Sequence, residues 1–426
     1  MPERGTISMA TGAGKTLTAL ICAARCQDRL GPGSAFAVVV ACPSIPLILQ
    51  WAEEIRKFGI TAHTPTLARS RDAALTNFFR LLSGPGVQVM VITNNLLCAD
   101  HFRRTMERQL DGVPALLIAD EAHRLGTDGF THAPPEFFDR RLALSATPER
   151  QYDPDGTEKI FEFFGPPAYE FGLDQAIGFC LTPYDYHVHA AYLDGEELDQ
   201  FEDLTVRIGQ ALAREESHEE RLKHMLLKRR RVIENAQAKL PGLRAVLEQR
   251  GPQAIEQALV YASSKNPEQF EEIGKILTEL ELRWAPVTQE TTQRRARLED
   301  TLDAFRDGGY QVLLAKKVLD EGVDIPGVRE AFVMASSTVE REWVQRRGRL
   351  LRRHPGKTHA TVHDFLALPP PEAVTRGDGG GRKIVVNELE RAYAFAKHAR
   401  NAAGPGGVLE ALRRLRNLYW RDTPGR

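Results

Sequence analysis

The segment Met-Ala-Thr-Gly-Ala-Gly-Lys-Thr, which ends at Thr16, constrains the fold of this chain more than any other feature. Gly12 and Gly14 let the backbone curl so that its N–H groups surround phosphate oxygens, and Lys15 adds a positive charge for the same anion. The Thr16 hydroxyl is a ligand type for Mg²⁺, and a helix that begins there directs its positive end at the phosphates. We therefore predict a phosphate-binding loop between a strand and a helix, formed by Thr11, Gly12, Ala13, Gly14, Lys15 and Thr16.

Size and composition narrow the class of protein. The chain has 426 residues, which predicts more than one domain, and its 42% apolar and 27% charged content is typical of globular proteins. The formal net charge is −1, so any nucleic-acid contact must depend on local patches. Five scattered cysteines without metal-ligand spacing predict reduced thiols in a cytoplasmic protein. No apolar run reaches about 18 residues, so no membrane span is expected.

Two stretches of the chain alternate short apolar runs with amphipathic segments. In the first stretch, strands are predicted at 36–42, 87–92 and 115–119, with helices at 46–58 and 71–82. In the second, strands are predicted at 258–262, 311–315, 331–334 and 360–363, with a helix at 267–282. Continuous apolar runs of this length are typical of strands buried in a parallel sheet. The alternation therefore predicts an α/β fold with two tandem parallel-sheet domains.

These patterns divide the chain into four predicted parts. They are a first domain at 1–180, a connecting strand and helical insertion at 181–240, a second domain at 241–368, and a linker with C-terminal helices at 369–426. The Pro- and Gly-rich segment 369–383 is interpreted as a flexible link. The basic run 228–231 is interpreted as a solvated helix face rather than a nucleic-acid contact. The amphipathic tail is expected to pack on the second domain.

An acidic pair follows the apolar run 115–119. Asp120 and Glu121 come directly after it, and His123 lies two residues further on. Ligands of open α/β sheets bind at the carboxyl ends of the strands. Taken alone, two acids after a strand indicate only a solvated loop. In a chain that also has a phosphate loop, we expect Asp120 to hold Mg²⁺ through water and Glu121 to orient and deprotonate an attacking water.

Two further motifs fit the same site. Ser145 and Thr147 follow the next predicted strand, where their hydroxyls can connect the phosphate site to the second domain. Arg349 and Arg352 stand three residues apart in an arginine-rich run, which places both guanidinium groups on one side of a predicted helix. Two such groups suit a γ-phosphate, as an arginine finger does.

In this order, the motifs carry a family resemblance. The chain resembles superfamily 2 helicases and translocases of the DEAD/DEAH-box class, and most closely the branch of XPB-like and restriction-type DNA translocases. The motifs are Thr-Gly-Ala-Gly-Lys-Thr, Ala41-Cys-Pro43 with Leu49-Gln-Trp51, Val91-Ile-Thr93, Asp120-Glu-Ala-His123, Ser145-Ala-Thr-Pro-Glu-Arg150, Lys317 to Pro326, and Gln345 to Arg352. The resemblance covers roughly residues 5–368. It implies two tandem RecA-like domains with ATP and Mg²⁺ in the cleft between them.

The resemblance also implies roles for individual residues. The implied catalytic residues are Lys15, Asp120, Glu121, Arg349 and Arg352, with Gly322 and Asp324 as further nucleotide contacts and with Thr16 and Asp120 at the metal. Residues implied to couple the nucleotide to the nucleic acid are His123, Ser145, Thr147 and Gln345. Those implied to touch the nucleic-acid backbone are Pro43, Thr93, Ser263 and Ser264. Backbone contacts carry no sequence code, so sequence-independent binding is expected.

The function expected from the sequence is an ATP-driven motor on DNA. An RNA helicase shares every motif above and stays open as an alternative. A nucleotide-gated clamp or scaffold with little turnover is the third reading. It arises because the family has an adenine-reading segment with a glutamine upstream of the phosphate loop, whereas no Gln precedes Gln27 here. A partner chain could supply that element.

The missing glutamine generates a first prediction. Without a side chain that reads the adenine edge, we expect ATP and GTP to be hydrolysed at comparable rates, because the phosphate loop contacts only groups that the two nucleotides share. Steady-state phosphate release with each nucleotide, measured at saturating nucleic acid, tests this. A strong preference for ATP contradicts it.

Overall fold

Our computed structural model describes residues 3–125, 128–150, 153–213, 219–263, 266–288, 290–291, 294–316, 325, 327–335, 348–374 and 379–420. The chain forms two compact units, leaving the first after Ala176 and entering the second at Ile177. Within the described ranges, no helix is long and apolar enough to cross a bilayer. All five cysteines are free thiols.

The first unit is built on a six-stranded parallel sheet. Its strands are β1 (Glu3–Met9), β2 (Ala35–Cys42), β3 (Gly86–Thr93), β4 (Ala115–Asp120), β5 (Arg140–Ser145) and β6 (Pro167–Phe171). Their order across the sheet is β3-β2-β4-β5-β1-β6. Strand β2 reads Ala-Phe-Ala-Val-Val-Val-Ala-Cys and is almost entirely buried, as a strand covered on both faces must be.

Helices cover both faces of this sheet. They are α1 (Lys15–Leu30), α2 (Ile45–Arg56), α3 (Arg71–Leu82), α4 (Asn94–Leu97), α5 (Asp100–Gln109), α6 (Asp128–Thr131), α7 (Pro154–Phe164) and α8 (Leu173–Ala176), with a 3₁₀ turn at Ala122–Leu125. Apolar residues of α1 and α2 share one core with the sheet. Those of α3, α5 and α7 share another. The first unit is therefore a three-layer α/β domain.

The second unit has its own six-stranded parallel sheet. Its strands are β7 (Tyr184–Tyr192), β8 (Ala258–Tyr261), β9 (Trp284–Val287), β10 (Val312–Ala315), β11 (Glu330–Val333) and β12 (Ala360–Leu368), in the order β7-β12-β11-β8-β10-β9. Strand β7 pairs along its whole length with β12, so the predicted connecting strand is the edge strand of this sheet. The two parallel sheets confirm the predicted α/β class.

The described helices of the second unit include the predicted insertion and tail. They are α9 (Gly195–Ala213), α10 (Glu219–Asn235), α11 (Lys239–Arg250), α12 (Pro267–Glu279), α13 (Arg295–Arg306), α14 (Pro371–Val374), α15 (Gly379–Ala396) and α16 (Val408–Tyr419), with a 3₁₀ turn at Pro252–Ala254. Helices α9 and α10 pack on each other through a small apolar core that includes Phe201 and Ile233.

Two predictions about these helices are wrong in part. The basic run 228–231 is not uniformly solvated, because Arg229 is buried and donates to the Thr205 hydroxyl across the α9–α10 contact at 3.2 Å. The segment 369–383 is not a plain flexible link, because it contains α14 and the start of α15. A proline is compatible with the first turn of a helix, which is where Pro371 stands. Helix α15 then buries Val385 and Leu389 in the second unit.

A buried ionic cluster fastens α15 to the sheet. Arg391 lies 2.6 Å from Asp364 of β12 and 3.0 Å from Glu388, and all three side chains are almost fully buried. The Tyr186 hydroxyl of β7 donates to the same Asp364 carboxylate at 2.7 Å. Buried charges are tolerated only when they are paired and hydrogen-bonded. The tail is therefore part of the core of the second unit, as expected.

This cluster predicts a large stability loss for Arg391→Met. The substitution keeps the apolar stem but removes the guanidinium that bonds Asp364 and Glu388, and it leaves Lys239 as a buried cation that still acts on both carboxylates. Loss of one partner of a buried ion pair costs about 3–5 kcal/mol. Urea unfolding followed by circular dichroism measures the change. The matched control is Arg414→Met, which breaks the exposed pair of Arg414 with Glu410 on α16 and should leave the unfolding midpoint unchanged. Equal effects of the two substitutions contradict the prediction.

Candidate nucleotide and nucleic-acid site

The phosphate loop joins the carboxyl end of β1 to α1. The Ala10 N–H donates to the Phe171 carbonyl of β6 at 2.9 Å, which holds the start of the loop on the sheet. Gly12 and Gly14 have φ angles of 84° and 91°, a region that only glycine adopts without strain. Because Gly14 is the N-cap of α1 and has no side chain, no side-chain oxygen occupies the helix N-terminus there. The first N–H groups of α1 are therefore available to an anion.

Lys15 and Glu121 face each other at this loop. The Lys15 Nζ lies 3.7 Å from a Glu121 carboxylate oxygen and 3.4 Å from the Met9 carbonyl. Both side chains are largely buried. Glu121 has a φ of 49°, which is uncommon for a residue with a side chain, although Gln257 and Glu281 adopt it away from the predicted site. The structure thus brings the predicted phosphate lysine and the predicted general base together.

Asp120, the last residue of β4, is enclosed by two donors. The Trp51 indole N–H of α2 donates to one carboxylate oxygen at 2.8 Å, and the Glu121 N–H donates to the other at 3.0 Å. Burial, followed by the negative charge of Glu121, raises the pKa of Asp120 to about 6, although Lys15 and the Trp51 hydrogen bond lower it. The pKa of Asp120 is thus set mainly by its burial beside a second carboxylate.

A relay of polar side chains continues from Glu121 into the next strand end. His123 Nδ1 lies 3.5 Å from a Glu121 carboxylate oxygen and 2.9 Å from the Ser145 hydroxyl at the end of β5. The Ser145 hydroxyl accepts a hydrogen bond from the Thr147 N–H at 3.1 Å. The guanidinium of Arg150 donates to the His123 carbonyl. The predicted coupling residues His123, Ser145 and Thr147 therefore form one connected group, and their coupling role stays a prediction.

The residues at this edge fit a magnesium nucleotide. The Thr11 and Thr147 hydroxyl oxygens are buried without a hydrogen-bond partner, which is costly unless a ligand satisfies them. The acidic pair beside Lys15 suits a divalent cation, whose oxygen ligands are typically carboxylates and hydroxyls. Thr16, in the first turn of α1, supplies such a hydroxyl. The loop N–H groups and Lys15 suit the phosphates.

The predicted nucleic-acid contacts of the first unit lie at the same edge of the sheet. Pro43 follows the last residue of β2, and Thr93 ends the neighbouring strand β3, where it pairs in register with Cys42. The Thr93 hydroxyl oxygen accepts from the Leu96 N–H at 3.3 Å and so caps α4. These positions are grouped in the structure, while their contact with nucleic acid stays a prediction.

The second unit is described at only some of its predicted site residues. Ser263 is buried after β8, and its N–H donates to the Gln269 side chain at 3.1 Å. Arg349 lies in the helical stretch 348–350, and Arg352 follows that stretch. The predictions for Ser264, Gly322, Asp324 and Gln345 lie outside the described residues.

The expectation that Arg349 and Arg352 share a helix face is wrong. The helical stretch ends at residue 350, and Arg352 instead forms an isolated antiparallel bridge with Leu181. The physical reason is Pro355, which has no N–H to donate to the Leu351 carbonyl and disfavours helix at the residue before it. The Leu351 carbonyl accepts instead from the Thr182 N–H at 2.6 Å. Spacing alone could not reveal a partner segment so distant in the chain.

Trp51 bonds the predicted site residue Asp120, a role that the sequence did not predict. It belongs to a motif that carries the resemblance, yet nothing near it in the chain indicates a partner. Its indole is 1% exposed and bonds a carboxylate 69 positions away, so only the packing of α2 on the sheet brings the two groups together. A tryptophan in a mostly apolar helix is a weak signal, because its usual role is in the core.

Comparison with known proteins finds a family match within each of the two units. Residues 1–150 match the family described as Type III restriction enzyme, res subunit. Residues 239–354 match the family described as Helicase conserved C-terminal domain. A relative, the DNA 3′-5′ translocase XPB2 of Sulfurisphaera tokodaii, is 27% identical over 372 residues, which is 82% of this chain and 75% of that protein.

Two solved structures are similar in fold. The helicase domain of Hef from Pyrococcus furiosus has a TM-score of 0.53 at 18% identity and covers 86% of this chain and 92% of its own. The ATP-dependent Type ISP restriction-modification enzyme LlaBIII, bound to DNA, has a TM-score of 0.61 at 17% identity and covers 98% of this chain, which spans 31% of that enzyme. This likeness confirms the predicted pair of RecA-like domains.

The indole–carboxylate bond predicts the effect of Trp51→Phe. The ring keeps its packing but loses the N–H that orients Asp120, and loss of such an outer hydrogen bond costs about tenfold or more in metal affinity. We expect the Mg²⁺ concentration needed for half-maximal binding of a fluorescent ATP analogue to rise by that factor.

The matched control for Trp51→Phe is Trp284→Phe. It also removes an indole hydrogen bond to a side chain, from Trp284 to the Thr278 hydroxyl at 3.0 Å, but in the second unit. Its Mg²⁺ requirement should equal that of the wild type. An unchanged Mg²⁺ requirement in Trp51→Phe, or equal shifts in both variants, shows that the indole does not support Asp120.

Proposed function

This chain belongs to the superfamily 2 helicases, in the branch of XPB-like and restriction-type DNA translocases, and we propose that it is an ATP-driven motor that moves on DNA. The observation that carries the proposal is the connected group of Lys15, Glu121, His123 and Ser145 at the phosphate loop. This group joins the ends of three different strands. A protein that only bound a nucleotide would need the loop but not the general base and its relay.

We assign the nucleotide chemistry to residues of the first unit. The N–H groups of the loop and the Lys15 ammonium hold the phosphates, and Thr16 with Asp120 holds Mg²⁺. The cation, when bound, neutralises charge on the phosphate oxygens. Glu121 orients a water molecule and accepts its proton, and the Lys15 ammonium lies 3.7 Å from its carboxylate.

Residues of the second unit complete the proposal. Arg349 and Arg352 stabilise the charge that develops on the γ-phosphate, an effect worth about a thousandfold or more in hydrolysis rate. Gly322 and Asp324 contact the nucleotide, and Gln345 acts with the coupling residues. Loss of the γ-phosphate on hydrolysis removes contacts that favour one conformation of the protein. Repeated cycles of ATP binding and hydrolysis therefore alternate two conformations, and this alternation moves the chain along the nucleic acid.

DNA is the proposed track. The XPB2 relative is a DNA translocase, and the LlaBIII structure contains DNA. The net charge of −1 gives the chain no general attraction for nucleic acid, so binding depends on local contacts such as those at Pro43 and Thr93. Contacts to the phosphate backbone make binding independent of sequence and weaker at high salt.

One assay tests this function. We expect duplex DNA to stimulate ATP hydrolysis by the wild type, and Lys15→Ala and Glu121→Gln each to lower turnover by about a hundredfold or more, because one loses the phosphate charge and the other the general base. Phosphate release is measured with duplex DNA, single-stranded DNA, RNA and no nucleic acid. Glu121→Gln should still bind ATP, since the amide keeps the side-chain shape.

Other outcomes of this assay identify the alternatives. Stimulation by RNA alone indicates an RNA helicase and contradicts the DNA motor. Nucleotide binding without turnover in the wild type indicates a nucleotide-gated clamp. The control is Lys275→Ala, which removes an exposed lysine paired with Glu272 on α12 and should leave every rate unchanged.

A further inference from the structure

Three consecutive carbonyl groups around Arg352 are all held by donors from outside the segment. The Leu350 carbonyl accepts from the Lys357 ammonium at 2.5 Å, and the Leu351 carbonyl accepts from the Thr182 N–H at 2.6 Å. The Arg352 carbonyl accepts from both Lys357 Nζ and the Thr182 hydroxyl, each at 3.3 Å. The backbone that carries Arg352 is therefore fixed from two sides.

One of these sides is the segment through which the chain enters the second unit. The first unit ends at Ala176, and Thr182 lies between that point and β7. Leu181 forms an antiparallel bridge with Arg352, and the Arg353 guanidinium donates to the Gly178 carbonyl at 2.7 Å. The entry segment is itself folded tightly, since the Gly178 N–H donates to the Leu181 carbonyl at 2.8 Å.

The other side is a lysine in an unfavourable environment. Burial, followed by the positive charge of Arg329, lowers the pKa of Lys357 to about 8. Lys357 lines a small polar cavity of about 220 Å³ whose other ionisable residues are Arg250, Glu256, Arg329, Glu330 and His359. Its Nζ bonds neither Glu256 nor Glu330 among the described contacts, and instead donates to the two carbonyls. Desolvation of an ammonium costs free energy, which these charge-assisted hydrogen bonds offset.

We propose that Lys357 and Thr182 are positioning residues that set the backbone of Arg352 for the hydrolysis step. The proposal rests on the role assigned to Arg352 in the proposed function. A guanidinium that acts on a developing charge must be placed accurately, and a displacement of about 1 Å can cost a hundredfold in rate. Because Thr182 belongs to the entry segment, that segment and Arg352 form one hydrogen-bonded assembly within the second unit.

The test compares Lys357→Met and Thr182→Val with the control Lys275→Met. Lys357→Met keeps the stem but removes both carbonyl hydrogen bonds. Thr182→Val keeps the shape and the N–H but removes the hydroxyl. We expect kcat for DNA-stimulated ATP hydrolysis to fall by about tenfold or more in Lys357→Met and by less in Thr182→Val. The Kd for a fluorescent ATP analogue and the Tm should stay near the wild-type values, because Arg352 is assigned to the transition state. Lys275→Met should match the wild type.

A double-mutant cycle distinguishes positioning from a general structural role. If Lys357 acts through Arg352, then Lys357→Met lowers kcat in the wild-type background but not in Arg352→Gln. Equal losses in both backgrounds overturn the proposal, as does an unchanged kcat in Lys357→Met. If Lys357→Met does not fold, the same cycle with Thr182→Val decides.

The cycle also separates this proposal from the one on which it rests. If Arg352→Gln keeps the wild-type kcat, then the role assigned to Arg352 in hydrolysis is wrong. The positioning proposal is then wrong as well, because it depends on that role. If Arg352→Gln has a lowered kcat while Lys357→Met and Thr182→Val keep the wild-type kcat, the positioning proposal is wrong and the proposed motor function is unaffected.

Discussion

Parallel pairing of the strands is the constraint on which the site in the first unit depends. In a parallel sheet every strand presents its carboxyl end at the same edge. The loop after β1, the acidic pair after β4 and Ser145 at the end of β5 are far apart in the chain, yet they are neighbours because β4, β5 and β1 are adjacent in the sheet order. The buried β2 beside them holds α2, and with it Trp51, against the sheet. Chemistry at this edge is thus a consequence of topology.

Several residues at that edge are held in environments that cost free energy. The Lys15 ammonium lies 3.7 Å from Glu121, and burial with the charge of Glu121 raises the pKa of Asp120 to about 6. The strained backbone of Glu121 and the buried hydroxyls of Thr11 and Thr147 add to the free-energy cost. The costs in charge and in unmade hydrogen bonds fall when a cation and phosphates are bound, so they favour the nucleotide-bound state. A site with a high free energy before its ligand binds is expected where ligand binding must drive a conformational change.

The sequence predicted those parts whose signal is local. Gly12, Gly14 and Lys15 are recognisable because loop chemistry depends on neighbours in the chain, and the strands are recognisable as bounded apolar runs. What the sequence missed depends on contacts between distant segments. The bond from Trp51 to Asp120, the burial of Arg229 against α9 and the bridge from Leu181 to Arg352 all require the folded chain. Helical spacing was misleading at Arg352, since Pro355 stops the helix and the Leu351 and Arg352 carbonyls bond Thr182 instead.

The pairing of Arg391 with Asp364 has a consequence for how damage to the gene would act. Asp364 belongs to β12, the strand next to the edge strand β7 of the second sheet, while the guanidinium that bonds it comes from a helix beyond every helicase motif. A nonsense mutation after β12 would spare all the predicted catalytic residues and still remove both the guanidinium that bonds Asp364 and the helix that buries it. Such a product would have a larger unfolded fraction, and cellular proteases degrade that fraction. The final helices therefore determine how much of the protein a cell contains.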